Sequence, residues 1–331
     1  MPIKFPLIRA AALSPVVRWA SDKGMPIDDI LSEADMEYFS LVDVDWLVPV
    51  RNAGQLLAIL ARLEGPDVCC RVGMEADISE LGPIGSIALA KRTPRMALEA
   101  IGRGMKHHCT HEVIAVQSTL AGITVGEGWS VRFDPLVHHL IQQYTAALIY
   151  RLVSLTGTDK PIFTNISMMP HPEQGLAHLT KWYQVEPCHA QNGHMTIEIP
   201  ASVADEPFSE AIVGQAAGSV RLDFDQIDAS FESSVRAVLK LHLIAGKPSI
   251  DRLAMTAGCS HRTLQRGLAQ LGLTFSHVLD DVRRRIAEHS LANEFSSRAD
   301  LARALGYSRQ STLSHALRRW SRQSCGKNKT R

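Results

Sequence analysis

Apolar residues recur at helical spacing along the first half of the chain. Three stripes place them every three or four positions, which is the pattern of one buried helix face. The stripes comprise Leu56, Leu57, Ile59, Leu60 and Leu63; Met96, Ala97, Ala100, Ile101 and Met105; and Leu140, Ile141, Tyr144, Ala147, Leu148 and Leu152. We therefore predict three helices in this part of the chain.

Short runs rich in β-branched residues lie between and after these stripes, and they predict strands. The runs are residues 113–116, 122–125, 131–133, 161–163 and 195–199, with a further helix predicted over residues 174–182. Helices that alternate with short strands indicate an α+β domain. The polar stretch 223–228 lacks periodicity, so we predict two domains, residues 1–228 and residues 229–331.

One short pattern occurs twice in the second of these domains. The first copy contains Leu253, Ala254, Gly258, Ser260, Thr263, Leu264 and Leu268. The second contains Leu301, Ala302, Gly306, Ser308, Thr312, Leu313 and Leu317, offset by 48 positions up to the serine and by 49 after it. A glycine lets the chain turn in the left-handed conformation, and a serine caps the helix that follows. Each copy therefore predicts a helix, a tight turn and a second helix.

Helices are also predicted before and between the two copies, which makes this domain all-α. Ser230 is placed to cap a helix that residues 246–248 stop, and Ser249 to cap the next one. An apolar residue every three or four positions from Phe275 to Ile286 predicts a long amphipathic helix between the copies. The domain is therefore expected to hold two helix-turn-helix units joined by a long helix.

The second helix of each copy has polar residues on the side away from its apolar ones. The residues predicted to face inward are Leu264, Leu268 and Leu271 in the first copy, and Leu313, Leu317 and Trp320 in the second. Those predicted to face outward are His261, Arg262, Gln265 and Arg266 in the first, and Arg309, Gln310, Ser311, Ser314 and His315 in the second. Arg and Gln form paired hydrogen bonds with guanine and adenine in the major groove, so this face predicts base recognition.

The charge of the chain is unevenly distributed. The net charge is +1, but residues 240–331 hold 17 Lys and Arg against 6 Asp and Glu, and residues 1–239 hold 18 against 28. An acidic domain joined to a basic one indicates that the basic end binds a polyanion. A basic surface that binds nothing is the alternative. The run Arg283, Arg284 and Arg285 likewise has two interpretations: an edge that contacts phosphates, or a solvated face.

Residues 230–321 resemble the DNA-binding domain of the AraC family of bacterial transcription regulators, in which a long helix joins two helix-turn-helix units. The resemblance rests on Ser260-x-Arg262-Thr263-Leu264-Gln265-Arg266 and on Leu305-Gly306-Tyr307-Ser308 through Leu317-Arg318-Arg319-Trp320. The DNA contacts that it implies are Arg262, Gln265 and Arg266 in one groove, and Arg309, Gln310, Ser311, Ser314 and His315 in the next.

Residues 7–200 resemble the effector-binding and dimerisation domain found in one branch of that family, on fewer positions. The matching segments are Gly82-Pro83-Ile84-Gly85 and Thr93-Pro94-x-x-Ala97-Leu98-Glu99-Ala100. The resemblance implies a transcription regulator that responds to a small-molecule effector, forms a homodimer and contacts RNA polymerase. No cofactor is implied.

The chain departs from the family pattern in two places, both in the second unit. His315 stands where the family usually has arginine, which weakens a contact of fixed charge. After Trp320 the family continues with Gly-x-x-Pro, whereas this chain has Ser321-Arg322-Gln323-Ser324-Cys325. We therefore expect the end of the second unit to be frayed or shortened.

A few residues invite other interpretations. His107 and His111 are four apart and could bind a metal ion from one helix face, beside His108 and Cys109. The alternative is a helix C-terminus whose dipole favours histidines. The pair His138 and His139 is a second, equally weak candidate for metal binding. The adjacent Cys69 and Cys70 could sense oxidants, but they are interpreted as packing residues on an apolar helix.

No sequence feature predicts catalysis or membrane insertion. The chain lacks G-x-S-x-G, a phosphate loop and a dinucleotide fingerprint, and no apolar run reaches the ~20 residues of a membrane span. We predict a cytoplasmic protein that is not an enzyme and needs no cofactor. Two other functions stay open: a ligand-independent architectural DNA-binding protein, and a metal-dependent enzyme that uses His107 and His111.

Overall fold

The structure is a computed structural model that describes residues 3–209, 226–246, 248–292, 298–307 and 309–327; the side chains of residues 289–292 and 322–327 are not described. The chain divides into two compact units. One comprises residues 6–229, and the other comprises residues 230–331 together with residues 1–5. No helix of the described ranges is long and apolar enough to cross a membrane.

The N-terminal unit contains two sheets. Its strands are β1 (Leu7–Arg9), β2 (Leu47–Pro49), β3 (Glu112–Ser118), β4 (Gly122–Trp129), β5 (Asn165–Met168), β6 (Cys188–His189) and β7 (Met195–Pro200). Strands β1 and β2 form an antiparallel pair, and the other five form a sheet of order β3-β4-β7-β5-β6. Every neighbouring pair in that sheet is antiparallel except β5 and β6. The hairpin predicted around residues 113–125 is therefore confirmed.

Nine described helices surround these sheets. They are α1 (Ser14–Asp22), α2 (Ile27–Glu33), α3 (Val50–Glu64), α4 (Val68–Met74), α5 (Pro83–Leu89), α6 (Pro94–Gly104), α7 (Pro135–Ser154), α8 (Thr180–Tyr183) and α9 (Ala201–Ala204). Helices α3, α6 and α7 coincide with the three apolar stripes, and α7 packs between α3 and α4 as the central helix. Helices combined with a mainly antiparallel sheet confirm the predicted α+β class.

Two predicted strands are wrong. Residues 131–133 form no strand, because β4 ends at Trp129 and the side chain of Asp134 caps α7 by accepting from the Leu136 amide at 3.0 Å. Residues 161–163 also form no strand, since the strand begins later, at Asn165. Phe163 is buried there by its ring contact with Tyr150, at a centroid distance of 5.3 Å.

The helix predicted over residues 174–182 is shorter than expected. Gly175 has a φ of 63°, which no α-helix accommodates, and the regular turns begin only with a 3₁₀ segment at Ala177–Leu179. Helix α8 then covers Thr180–Tyr183. A glycine in the left-handed region therefore delays the start of this helix.

The C-terminal unit is helical throughout its described residues. Its helices are α10 (Phe231–Ile244), α11 (Ile250–Thr256), α12 (His261–Gln270), α13 (Phe275–Ala292), α14 (Arg298–Ala304) and α15 (Gln310–Lys327). The hydroxyl of Ser230 accepts from the Ser233 amide at 3.2 Å, and that of Ser249 accepts from the Arg252 amide at 3.1 Å. Both predicted caps and the all-α class are confirmed.

Candidate nucleic-acid interface

The turn of the first helix-turn-helix unit is a Schellman motif. Gly258 has a φ of 65° and its amide donates to the Met255 carbonyl at 3.0 Å. The Cys259 amide donates to the Ala254 carbonyl, also at 3.0 Å. These two bonds satisfy carbonyls that the end of α11 would otherwise leave unpaired. Glycine is needed at this position because a side chain strains the backbone there.

The turn of the second unit has the same geometry. Gly306 also has a φ of 65°, and its amide donates to the Arg303 carbonyl at 2.9 Å. The Tyr307 amide donates to the Ala302 carbonyl at 2.9 Å. Each donor and acceptor residue lies 48 positions after its counterpart in the first unit, so the hydrogen bonds repeat together with the sequence. The capping serine predicted at Ser308 lies outside the described residues.

Helix α12 begins with the predicted serine cap. The Ser260 hydroxyl accepts from the Thr263 amide at 3.2 Å. Leu264 and Leu268 are buried as predicted. The inward placement of Leu271 is wrong, since this side chain is 49% exposed. Leu271 follows the last residue of the helix, so it no longer shares the direction of the stripe.

Gly267 allows α12 to pack closely against its own domain. A Cβ atom at this position would lie 2.7 Å from Cδ1 of Ile3 and 3.2 Å from Cε1 of Phe231. The first of these distances is shorter than van der Waals contact allows. Ile3 and Phe231 of α10 therefore lie close to the buried side of α12, and its other side faces solvent.

The solvent side of α12 carries the three residues predicted to contact DNA. Arg262, Gln265 and Arg266 are exposed and spaced by three and four positions, so they form one stripe. Among the described residues, neither arginine forms an ion pair or a side-chain hydrogen bond. His261 differs, because its Nδ1 lies 2.7 Å from a carboxylate oxygen of Asp251 on α11. The stripe therefore offers two cationic donors and an amide.

The corresponding side of α15 is chemically weaker. Arg309, Gln310, Ser311 and His315 are exposed, as predicted. Ser314 is half-buried instead, and its hydroxyl donates to the Gln310 carbonyl at 3.2 Å. Such a bond to the preceding turn is a common way for serine to satisfy itself within a helix. The exposure predicted for Ser314 is therefore wrong.

Sequence reasoning missed one exposed cation on this face. Arg318 is exposed and lies three positions after His315 and seven after Ser311, in the same stripe. Its neighbour Arg319 is different, because it forms an ion pair with Asp280 on α13. The spacing that selected Arg262 and Arg266 would also have selected Arg318.

The inward side of α15 completes the core of the second unit. This core consists of Ala287, Leu301, Ala302, Leu305, Leu313, Ala316 and Trp320, with Ile286, Tyr307 and Leu317 partly buried against it. The indole of Trp320 donates to the Asp280 carboxylate at 3.0 Å. Helix α15 continues to Lys327, so the expected shortening after Trp320 is wrong. No proline follows Trp320, and the chain therefore lacks the residue that would end the helix there.

The arginine run on α13 has two separate roles. Nε of Arg283 donates to the Leu305 carbonyl at 2.8 Å, and its Nη2 donates to the Gly306 carbonyl at 3.3 Å. The same guanidinium group lies over the Tyr307 ring, 4.4 Å from its centroid. Arg283 therefore binds the second turn and points at no solvent-exposed phosphate. For Arg283 alone, this outcome is neither of the two alternatives that the sequence left open.

Arg284 and Arg285 share one carboxylate. Asp281 lies 2.8 Å from Nη2 of Arg284 and 3.2 Å from Nε of Arg285, and it also pairs with Arg236 on α10. Burial raises the pKa of Asp281, but the hydrogen bond from Arg284 and the charge of Arg236 lower it by more, so the net shift is downward. This neutralisation favours a solvated, internally paired face for both arginines.

The suggested metal ligands do not share a helix face. His107 ends the 3₁₀ turn Met105–His107 after α6, and His111 directly precedes β3. Among the described residues, no group of three or more His, Cys, Asp and Glu side chains has an arrangement that could hold a metal ion. The intervening His108 is buried, and this burial lowers its pKa to about 3.

The two adjacent cysteines are packing residues, as predicted, and His139 is buried as well. Cys69 and Cys70 lie fully buried in α4, and burial raises the pKa of Cys70 to about 12. His139 is buried in α7, with Nδ1 2.7 Å from the Met169 carbonyl oxygen. Burial lowers the pKa of His139 to about 4, so the ring is neutral. His138 is only partly buried.

These helices define the class of protein. Two short helix pairs have the same Schellman turn, and the second helix of each exposes a polar stripe in a basic domain. This is the architecture of a double helix-turn-helix protein, whose second helices fit the major groove of DNA.

The chain is similar to several known proteins, and the sequence matches agree with this class. Residues 253–329 match the family described as "Helix-turn-helix domain". The HTH-type transcriptional regulator VirS of Mycobacterium tuberculosis is 27% identical over 272 residues, which cover 80% of this chain and 79% of VirS. The ornithine utilization regulator of Pseudomonas aeruginosa is 35% identical over 74 residues, 22% of each chain. The crystal structure of transcriptional regulator CdpR from Pseudomonas aeruginosa aligns with 94% of this chain and 95% of its own, at 19% identity and a TM-score of 0.41.

The identity of the chain follows from the matched domain and the relatives together. It carries an AraC-type helix-turn-helix domain at its C-terminal end, and it is a DNA-binding regulator of transcription. The resemblance predicted for residues 230–321 is thereby confirmed.

Proposed function

We propose that this regulator reads a DNA operator with α12 and α15, and that a small molecule bound by the N-terminal unit controls it. The observation that carries the first part is the pair of exposed stripes on two helices that follow identical turns. A helix of this kind lies in the major groove, and two of them reach grooves one helical turn, about 34 Å, apart.

Each stripe would have its own share of the contacts. Arg262, Gln265 and Arg266 would form base contacts in one groove, since arginine and glutamine pair with guanine and adenine edges. The second stripe would contribute Arg309, Gln310, Ser311, Ser314 and His315, with Arg318 at its end. Lys and Arg of the basic domain would add phosphate contacts, which make affinity depend on salt.

The other parts of the proposal rest on the resemblance of the N-terminal domain. We expect an effector site and a homodimer contact in this domain, contact of the regulator with RNA polymerase, and action in the bacterial cytoplasm without catalysis. An effector can switch the protein only if it binds one conformation more tightly than another. An architectural DNA-binding protein would lack this response, so a saturable ligand effect on DNA binding separates the two functions.

The test begins with the full chain and a random pool of duplex DNA, from which bound sequences are selected. Fluorescence anisotropy then gives the affinity for the selected operator and for each single-base variant. We expect Arg262→Ala to weaken operator binding by about 1–3 kcal/mol and to abolish preference at one base. Arg285→Ala removes the same charge from α13 and should preserve the base preference.

Two results would contradict this assignment. Equal weakening of Arg262→Ala on every sequence would make Arg262 a phosphate contact, because phosphate contacts carry no sequence information. Failure of the native chain to select any sequence would overturn operator reading as a whole.

A further inference from the structure

The N-terminal unit contains an apolar cavity of about 140 Å³. It is lined by residues of α3, α5, α6 and α7, and by residues of the segments from β1 to Leu13 and from β3 to β4, so every wall belongs to the same unit. Ala53, Leu57, Ala88 and Leu148 are typical of its lining. Native interiors are close-packed, and a void of this size leaves many dispersion contacts unmade. A ligand that fills it would restore those contacts.

The volume limits the size of the ligand. An engineered apolar cavity of about 150 Å³ stays dry and admits benzene. A single ring or a short hydrocarbon chain is therefore an apolar group that fits without rearrangement of the walls.

Two buried polar side chains, His108 and Glu112, form part of this apolar lining. His108 is 5% exposed, and its Nδ1 has no hydrogen-bond partner among the described residues. Glu112 is 8% exposed, at the start of β3. An unpaired buried polar atom costs free energy, so a ligand that supplies its missing hydrogen bond binds better than one that does not.

The carboxyl groups of Glu112 and the nearby Glu127 select against ionic ligands. Burial raises the pKa of Glu112 well above its usual value, and the nearby Glu127 carboxylate raises it further. The raised pKa favours the protonated form of Glu112, which can donate a hydrogen bond. An anionic ligand would be placed beside two carboxyl groups, whereas a cationic ligand would require a buried carboxylate to ionise.

We infer that this cavity is the effector site, and that it takes an uncharged, mostly apolar molecule of one-ring size whose single hydrogen-bonding group meets His108 and Glu112. The inference rests on the proposed control by a small molecule and gives that molecule a chemical class. A neutral imidazole nitrogen donates or accepts according to its tautomer, and a protonated carboxyl group does both, so the group on the ligand must donate and accept. A hydroxyl group supplies both.

Four probes of equal ring size test this class on the full chain by calorimetry: benzyl alcohol, toluene, benzoate and benzylammonium. We expect benzyl alcohol to bind saturably, one molecule per chain, at least tenfold more tightly than the other three. Toluene lacks the hydrogen-bonding group, and the two ions carry the charge that the site rejects. No measurable binding of any probe, or tightest binding of either ion, would overturn the inference.

Variants connect the binding to this cavity. Glu112→Met should weaken benzyl alcohol binding at least tenfold, and Glu112→Gln, which keeps a neutral hydrogen-bonding group, should change it less than threefold. Glu198→Met alters an exposed carboxylate of β7 in the same sheet and should leave binding unchanged. Equal affinity of Glu112→Met and the native chain would place the probe elsewhere and would reject the inference.

Folding and function are followed separately. Ala88→Leu fills the cavity, so it should abolish probe binding while thermal unfolding stays cooperative and operator binding persists. This variant also covers the case in which Glu112→Met does not fold. A chain that binds benzyl alcohol but no operator contradicts the proposed function alone. A chain that binds operator but none of the probes contradicts the cavity assignment alone.

Discussion

The two helix-turn-helix units leave their turns along the same backbone path and then present different chemistry. Gly258 and Gly306 have the same φ of 65°, and the hydrogen bonds around them match to within 0.1 Å. On the exposed stripes, however, Arg262, Gln265 and Arg266 are replaced by Ser311, Ser314 and His315, 49 positions later. A turn tolerates few residues because its backbone requires them, whereas an exposed stripe is free to vary.

The units also differ in how they are held to the rest of their domain. The first uses close apposition, because Gly267 brings α12 against α10. The second uses a long side chain, because Arg283 reaches from α13 to the carbonyls of Leu305 and Gly306. Both solutions hold part of a helix-turn-helix unit against the rest of its domain. The first depends on the absence of a side chain and the second on the presence of one.

The largest expected effect comes from exchanging the residues that differ most. Arg266→His should weaken operator binding by about 2 kcal/mol, because histidine cannot form the bidentate pair of a guanidinium with guanine. His315→Arg should strengthen binding by about 1 kcal/mol and steepen the salt dependence by one phosphate contact. Fluorescence anisotropy over a salt series measures both.

The double variant is the control for this exchange. If the two units contribute independently, the change in binding free energy of the double variant equals the sum of the changes of the two single variants, within about 0.5 kcal/mol. An equal loss from Arg266→His and His315→Ala would show that the units contribute alike, and the asymmetry argued from their stripes would then be wrong.

A smaller effect should separate the two ways in which the units are held, namely the close contact at Gly267 and the hydrogen bonds from Arg283. Arg283→Met keeps an unbranched apolar stem but removes the donors, leaving the Leu305 carbonyl with one partner fewer. We expect a loss of about 1.5 kcal/mol in the free energy of unfolding, measured by urea denaturation of the full chain. Arg285→Met is the matched control, since its side chain is 66% exposed, and it should cost less than 0.5 kcal/mol.

The stability measurement can also contradict this role of Arg283. If Arg283→Met and Arg285→Met unfold at the same urea concentration, Arg283 contributes no more than a surface arginine does. The second unit would then be held by its apolar core alone.

Local features were predictable from the sequence, and features that depend on distant contacts were not. The turn glycines, the caps at Ser230, Ser249 and Ser260, and the buried leucines all follow from residues within a few positions of each other. Arg283 could not be predicted, because its partners Leu305 and Gly306 lie more than twenty positions away.

The same limit explains the wrong predictions and the missed site. Ser314 satisfies its hydroxyl within α15, and a stripe drawn on a helical wheel shows only direction, not hydrogen bonding. Phe163 has the composition of a strand residue, but its contact with Tyr150 buries it in a loop. The cavity near Glu112 is formed by helices and strands from β1 to α7, and no local pattern encodes an empty volume.

The smallest predicted effect is a pH dependence that distinguishes the anchors. Asp281 ties α13 to α10 through Arg236, and its pKa is lowered in the folded protein. A lowered carboxyl pKa stabilises the fold above the unfolded value of about 3.8, and this contribution is lost as pH falls through the folded pKa. Asp281→Asn should therefore cost at most about 1 kcal/mol at pH 7, and progressively less as the pH falls below 4. Asp300→Asn, in an exposed pair with Arg303, is the control.

The bonds from Arg283 end on carbonyls, which do not titrate, so the loss caused by Arg283→Met should stay constant over the same range. A constant cost of Asp281→Asn between pH 7 and pH 3 would show that its charge is not what joins α13 to α10.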